Sequence, residues 1–569
     1  MNEFIWEKNV EITAADIPES TEAIMFCGGF NQRICANVLP RTIKSIKFGS
    51  KFDMPIDENV LPNRLESIVF GNSFNRSIGQ KVLPDSLRTI NLGYLFDQPI
   101  DKYVLPDSLI SITFSDNFDQ PIGPDVLPGN LESIEFGCRF DQPIEPGYMP
   151  DSLKSIEFEW KFNQLISENV LPKSLESIMF GHKFNQPIGP NVLPSSLKSI
   201  VFGYTFDQHI GKNVIPASVE SIIFGGGFNR PIDENVLPVS LKSIAFGACF
   251  NRPISINVLP NSLESITLGW FFNRVIAPGV LPSSLKSIAF SNCTNQPMDL
   301  NVLPEFLKYI RFGKNFNQEI IPLSLPVSLE TIVFGDDFNQ EIIPLSLPAS
   351  LETIVFGDDF NHEISRNHLP VSLKSIKFGR KFNQSIDPNV FPASLKSIVF
   401  GDGFNQPIEL NVLPASLKSI EFGLKFNQPL ELNVLPNSLK TIIFGNMFNN
   451  TTPALYYLAN LEYVSILGKN AVDIIIENLP HNLKYLRIRN IDTLLSLNDK
   501  PQCMQFSVIY DVIIDMPLPI AFPILRSHVF SHVYGCNVIG TEMVDGEKYE
   551  RLINPEFYRP GSGAKSARK

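Results

Sequence analysis

The chain reads as a β-rich solenoid, a parallel-sheet stack of 22-residue repeats that is poor in α-helix and capped at both ends. Three observations predict this. Phenylalanine recurs at 30, 52, 74, 96 and onward to 448 without gap or insertion, and Thr294 is the one exception among those twenty positions. A Leu-x-Ser-Ile-x-Phe-Gly segment returns at the same interval with its apolar side chains in alternation. Proline punctuates the rest of most repeats, as at Pro187 and Pro194, and proline removes a helical donor and clashes with the preceding turn. A length of 569 residues normally suggests several domains, but a fixed short period lets one stack absorb it.

Within a repeat, Leu65-Glu66-Ser67-Ile68-Val69-Phe70-Gly71 reads as the strand. Ile68 and Phe70 point one way, Ser67 and Val69 the other. Gly71 is expected to let the backbone turn out of the strand. The return segment adds Phe74, Ile78, Val82 and Leu83 as inward residues. One repeat buries too few apolar groups to offset the ordering of its own chain, so it needs neighbours.

In chain order, residues 1–17 form an N-terminal cap whose Phe4 to Trp6 covers the first rung, since a bare stack end exposes apolar side chains and strand edges. Repeats fill 18–450, and 451–490 hold two degenerate terminal repeats. Residues 491–559 are a non-repeat C-terminal cap, apolar and β-rich over Val508 to Gly540. Residues 560–569, PGSGAKSARK, read as a disordered basic tail.

The residue after each Phe is Asn or Asp, from Asn31 and Asp53 to Asn449. A short polar side chain demanded once per coil satisfies backbone groups at a turn, forming a ladder through the stack. On this reading Asp serves less symmetrically than Asn, because a carboxylate only accepts. A row of cation ligands is the competing reading, but each rung supplies a single group where calcium sites gather several oxygens.

The Phe-Asn-x-Pro-Ile element, as in Phe184-Asn185-Gln186-Pro187-Ile188, resembles the signature of FNIP-repeat proteins, found in amoebae and in the large DNA viruses that infect them. The likeness covers roughly residues 17–450. It implies a leucine-rich-repeat-like solenoid with a protein-interaction role. Some relatives begin with an F-box and act as ubiquitin-ligase adaptors, and the short stretch ahead of the first repeat here leaves no room for one.

Charge and composition narrow the partners. With 47 basic against 59 acidic side chains the net charge is −12, which opposes binding to nucleic acid or an anionic membrane surface. There is no apolar run long enough to span a bilayer and no signal peptide. Seven scattered cysteines without CxxC spacing favour a reducing, cytoplasmic location, the host cytoplasm if the protein is viral. The partner is expected to be protein.

Three surface features carry candidate function. The outward strand position varies most, from Lys47 and Val69 through Glu135, Met179 and Ile223 to Arg311, Lys377 and Glu421. The position after Leu alternates in sign from Glu132 to Lys286, which supports cross-strand pairing. Further on, Lys374, Lys396, Lys418 and Lys440 follow on four successive rungs, a like-charge stripe suited to an acidic partner. The adjacent acids Asp336, Asp337, Asp358 and Asp359 sit on two nearly identical rungs, as a duplicated turn or a metal site. For catalysis and cofactors nothing is found. His528 and His532 lack the Glu of a zinc-protease helix, and no phosphate loop, dinucleotide turn or nucleophile elbow occurs. The expected function is a non-catalytic scaffold. Its rivals are a parallel β-helix that binds or cleaves carbohydrate, and a purely structural spacer.

Overall fold

The computed structural model describes residues 2–450, 452, 455–466, 479–480 and 483–485, and the backbone alone of 486–488, 511–517, 537–544 and 547–553. The chain forms two compact units, Met1–Ser291 and Asn292–Lys569. In the first, the strand Glu3–Trp6 pairs in parallel with Ala23–Phe26. From there each strand pairs with the one 22 residues on, in register, as Ser199, Ile200 and Val201 face Ser221, Ile222 and Ile223. In the second unit the same parallel pairing runs from Tyr309–Arg311 to Tyr485–Ile488. It continues into Asp511–Pro517 and Asn537–Val544, and Glu547–Ile553 closes the sheet edge antiparallel. Two single turns of 3₁₀-helix, Ala14–Asp16 and Leu455–Tyr457, are the helical elements among the described residues. His528, His532, Cys503, Cys536 and the tail 560–569 lie outside the described residues.

A rung is one short strand and a series of turns. The strand spans three or four residues, as at Ser67–Val69, where the repeated segment suggested seven. Pairing outside it passes to single bonds, such as Phe70 N to Asn91 O at 2.9 Å. The turns are closed by 3₁₀-type bonds, Leu65 N to Pro62 O and Phe74 N to Gly71 O. Such turns need no run of helical residues, so proline is accommodated between them.

The inward columns are buried as their periodicity demands. Leu65, Ile68, Phe70 and Phe74 are at most 3% exposed. Two phenylalanine columns run side by side, Phe70 against Phe74 at 4.1 Å between centroids and Phe74 over Phe96 at 5.9 Å, nearly coplanar. Each such pair adds about 0.5–1.5 kcal/mol beyond the area it buries.

The glycine after the strand has a different role from the one its position suggested. Gly71 has no positive φ; a Cβ there would lie 1.8 Å from the carbonyl oxygen of Gly49 on the preceding rung. Gly203 stands in the same relation to Gly181. Close approach of successive rungs, rather than turning, excludes a side chain. Apart from Gly93 in the column of Gly71, with φ of 77°, left-handed backbone falls at another position of the rung, that of Asn59, Asn191 and Asn411, with φ of 62°, 63° and 67°. Gly147 and Gly279 occupy the same column. Asn and Gly suit that conformation, whereas Leu323 and Leu345 hold it at 67° and 66° while 80% and 79% exposed.

The polar ladder runs through hydrogen bonds of one kind. Asn31 Oδ1 accepts from the Asp53 N–H, and Asp53 Oδ1 in turn accepts from the Asn75 N–H, each at 2.9 Å. Because the ladder uses only an acceptor oxygen, Asp and Asn serve it equally, contrary to the asymmetry expected. A second ladder was not anticipated: the serine that precedes most core Leu residues donates to the carbonyl of the core Leu one rung before, as Ser196 Oγ to Leu175 O at 2.6 Å.

Two stability effects follow. Asn185→Ala leaves the Asp207 N–H without its acceptor and should cost about 1 kcal/mol, whereas Asn185→Asp should be nearly neutral. Urea unfolding midpoints of the two variants should separate; equal losses would refute the acceptor-only ladder. Leu323→Asn and Leu345→Asn should each raise stability by about 1 kcal/mol by suiting the left-handed backbone. A lowered midpoint would show that these leucines make contacts that outweigh the strain.

Candidate interaction surface

The outward strand positions face solvent between buried neighbours. Lys47, Met179, Ile223, Arg311 and Lys377 are exposed there, while Ile46, Ile178 and Ile222 beside them are buried. In each unit the sheet therefore presents outward residues that the packing does not dictate.

Immediately before the strands, the alternating charges resolve into pairs. Lys154 bridges Glu132 at 2.9 Å, Lys198 bridges Glu176 at 2.7 Å, Lys242 bridges Glu220 at 2.7 Å and Lys286 bridges Glu264 at 2.9 Å. Each lysine thus bonds the glutamate of the rung before it. The bond with Lys198 lowers the pKa of Glu176, and that with Lys242 lowers the pKa of Glu220. The stabilisation they lend is therefore present above the ordinary carboxylate range and fades as pH falls through the lowered values.

The lysine stripe is only partly neutralised. Lys374 bonds Glu352 and Lys440 bonds Glu462, so both ends of the stripe are paired. Lys396 and Lys418, in the middle, are exposed and bridge no carboxylate among the described residues. On these rungs lies an open groove of about 620 Å³, lined by Asn389, Asn411 and Asn433 together with apolar residues such as Val371, Pro392 and Pro414. Of the four clustered aspartates, Asp358 bridges Arg380 at 3.5 Å and Asp359 bridges Lys381 at 2.8 Å.

A cluster that the sequence did not flag brings together Asp116, Cys138 and Glu159, all half-buried, whose ligand atoms lie within 4.8 Å of one another. These three can offer a cation two carboxylates and a thiolate. Asp116 and Cys138 occupy the same place on successive rungs, and Glu159 stands where neighbouring rungs carry Gly137 and Gly181. The next rung is set back there: a Cβ on Gly181 would lie 3.0 Å from the Glu159 carbonyl, against 1.8 Å for Gly203 over Gly181. Burial, then the hydrogen bond to Glu159, pushes the Cys138 thiol up to about 12. Burial also raises Asp116, with the Glu159 charge adding to it. Alongside, Trp160, His182 and Tyr204 stack face to face at 3.9 Å and 4.8 Å.

FNIP repeats are recognised in eleven successive matches between residues 9 and 451. The chain belongs to the FNIP repeat family. Those matches coincide with the rungs that carry the double phenylalanine column and the Asn/Asp ladder. Among solved structures, this FNIP-repeat chain is similar to the crystal structure described as CroV588, a novel circular LRR protein structure, from a giant virus. The two share 36% identity over 94% of this chain and 84% of that one, with a TM-score of 0.79. No curated protein matches the chain. Among the described residues no helix is long and apolar enough to cross a membrane.

The cysteine provides a direct check on the acidic cluster. Held near 12, the Cys138 thiol should alkylate slowly with iodoacetamide at pH 8, well behind the exposed Cys35. Glu159→Gln removes the acceptor charge and should speed Cys138 by roughly tenfold for each pKa unit recovered. Peptide mass spectrometry reads both cysteines in one sample, and an unchanged Cys138 rate would dissociate the thiol from Glu159.

Proposed function

We propose that this FNIP-repeat chain is a non-catalytic scaffold for protein–protein interaction, acting in the cytoplasm, that of the host if the protein is viral. The observation that carries the reading is the middle of the lysine stripe. Lys396 and Lys418 stand immediately before the strands Ser397–Val399 and Ser419–Glu421, on adjacent rungs whose backbones lie about 4.8 Å apart, and neither bridges a carboxylate among the described residues. Like charges so placed repel mildly, whereas most other lysines of the same column are bonded to a glutamate. Two ammonium groups carried on flexible stems from neighbouring rungs can close on one carboxylate or on two, and an acidic protein surface supplies carboxylates in number. A parallel sheet with a fixed rung spacing holds the lysines without loss of backbone freedom on binding. The likeness to a leucine-rich-repeat solenoid supports the same reading.

Affinity capture from native cell extract tests it, comparing the wild-type chain with Lys396→Glu/Lys418→Glu and with all four stripe lysines reversed. A protein retained by the wild type and lost from both variants is the expected outcome. A protein retained by all three would remove the stripe from the interface and shift attention to the variable strand positions. Retention of nothing by the wild type would count against the scaffold itself.

A further inference from the structure

We infer that the turns of the second unit, between Asp299 and Val371, form a docking surface for a protein segment that carries aliphatic side chains beside a lysine or arginine. The surface lies on other rungs than Lys396 and Lys418 and does not depend on what those lysines bind. Two leucines point to it. Leu323 and Leu345 hold the left-handed backbone that asparagine occupies on most rungs, yet they are 80% and 79% exposed. Leucine is strained in that conformation, and burial within this chain returns nothing for the strain. Strain of that kind gathers at binding sites.

Apolar surface extends around them over successive rungs. Val327, Ala349 and Val371 follow one another in a column that is polar on most earlier rungs, as at Asp85, Asp107 and Asp151. All three are exposed, Val327 at 70% and Val371 at 81%. Asn367 and Val371 line one groove. Leu345 and Ala349 stand in the same two columns one rung earlier, so the leucines and the aliphatic column share that side of the stack. Ile321 and Ile343 are exposed two residues before the leucines. Neighbouring rungs lie about 4.8 Å apart, so these side chains form a patch rather than scattered points. Contiguous exposed apolar surface marks an interaction site.

Charge beside the patch selects its occupant. Glu319, Glu341 and Glu363 take three successive rungs at a place where most other rungs carry proline, as at Pro187, Pro297 and Pro407. Each is exposed, and none bridges a cation among the described residues. Ile320 is buried with Glu319 and Ile321 exposed on either side of it, and Ile342 is buried in the same way between Glu341 and Ile343. An open hollow of about 380 Å³ brings the two chemistries together: Glu319 and Ile321 line it with Asp299 and Met298. Asp299 bridges no cation among the described residues either. A lysine or arginine can set its charged head against these carboxylates while its stem and its aliphatic neighbours cover the apolar side chains. A second copy of the chain suits the site poorly, since a twofold pair centred on the patch would set the glutamates of both copies against each other. The same carboxylates repel an anionic membrane.

The test is selection of a random peptide library, displayed on phage, against the full chain, followed by fluorescence polarisation of the enriched peptides. Enriched sequences should combine aliphatic residues with Lys or Arg. Leu323→Asn/Leu345→Asn should weaken them by about tenfold or more. The same variant should not lower the urea midpoint, because asparagine suits the left-handed backbone, so lost binding is not lost fold. Glu319→Lys/Glu341→Lys/Glu363→Lys should weaken them by about tenfold and, used as the bait, should enrich aliphatic peptides carrying Asp or Glu instead. That switch also shows that the variant folds. Enrichment of nothing, or of peptides lacking either aliphatic or basic residues, would overturn the inference. So would enriched peptides indifferent to both variants. A wild-type dimer in light scattering that the leucine variant abolishes would assign the face to a second copy. Phosphatidylcholine vesicles bound by the wild type and not by the leucine variant would assign it to a membrane, and either result would overturn the inference.

Discussion

The structure depends on each rung finishing the hydrogen bonds of the one before it. Three ties recur per coil. Lys198 N bonds Glu176 O, Asp207 N bonds Asn185 Oδ1, and Ser196 Oγ bonds Leu175 O. All three require the same offset between rungs, within one residue. An inserted residue would orphan the donors downstream of it in that coil and lift its phenylalanine out of the ring column. Unmade backbone bonds cost more than made ones gain, so the interval is held without exception from Phe30 to Phe448. The close approach of Gly71 to Gly49 belongs to the same constraint, since the ties draw the rungs together until no Cβ fits between them.

Much of this was legible because inward positions are selected by a single property. Phe74, Leu65 and Ile68 had to be apolar, and the period showed which way they point. The Asn/Asp column was legible as a ladder because only a short acceptor recurs there. What escaped notice was wherever one residue type answers two physical demands. Glycine is selected both by positive φ and by lack of space, and the sequence does not separate them; the structure assigns Gly71 to the second. The left-handed column was hidden because Lys81, Tyr103 and Leu323 interrupt its asparagines, although Gly147 and Gly279 in the same register were a usable signal. At the candidate site, the lysine stripe was legible as a run of charge. Which of its members are paired was not, because that depends on Glu352 and Glu462, on rungs outside the run. The Asp116–Cys138–Glu159 cluster joins residues 21 and 22 apart, and its one sequence sign is a glutamate in a column of glycines.

Departures from the repeat therefore differ in meaning according to the column they occupy. A change in an inward column, or in the glycine column where successive rungs touch, perturbs packing and must be absorbed locally, as at Glu159, where the following rung stands further off. A change in an outward column perturbs nothing that holds the stack together. Surface ion pairs contribute only about 0.2–1 kcal/mol each, so replacing a paired glutamate by lysine on successive rungs leaves the fold intact. Stability and surface chemistry are separable in this architecture to a degree that a globular core does not allow.

That separation explains why charge order, rather than charge amount, is the informative quantity on this surface. A chain of net charge −12 repels anions at long range, and salt screens that field over about 8–10 Å. Inside that distance the local pattern governs what can approach. Lys396 and Lys418 lie within it of one another, and the rigid strand spacing keeps them so. The backbone hydrogen bonds fix the points from which the two side chains leave, while the ammonium heads on their flexible stems can still splay apart. An opposite charge beside them would relieve what repulsion is left, and because the attachment points are set by backbone hydrogen bonds, any group bonding both lysines would meet them at one pitch.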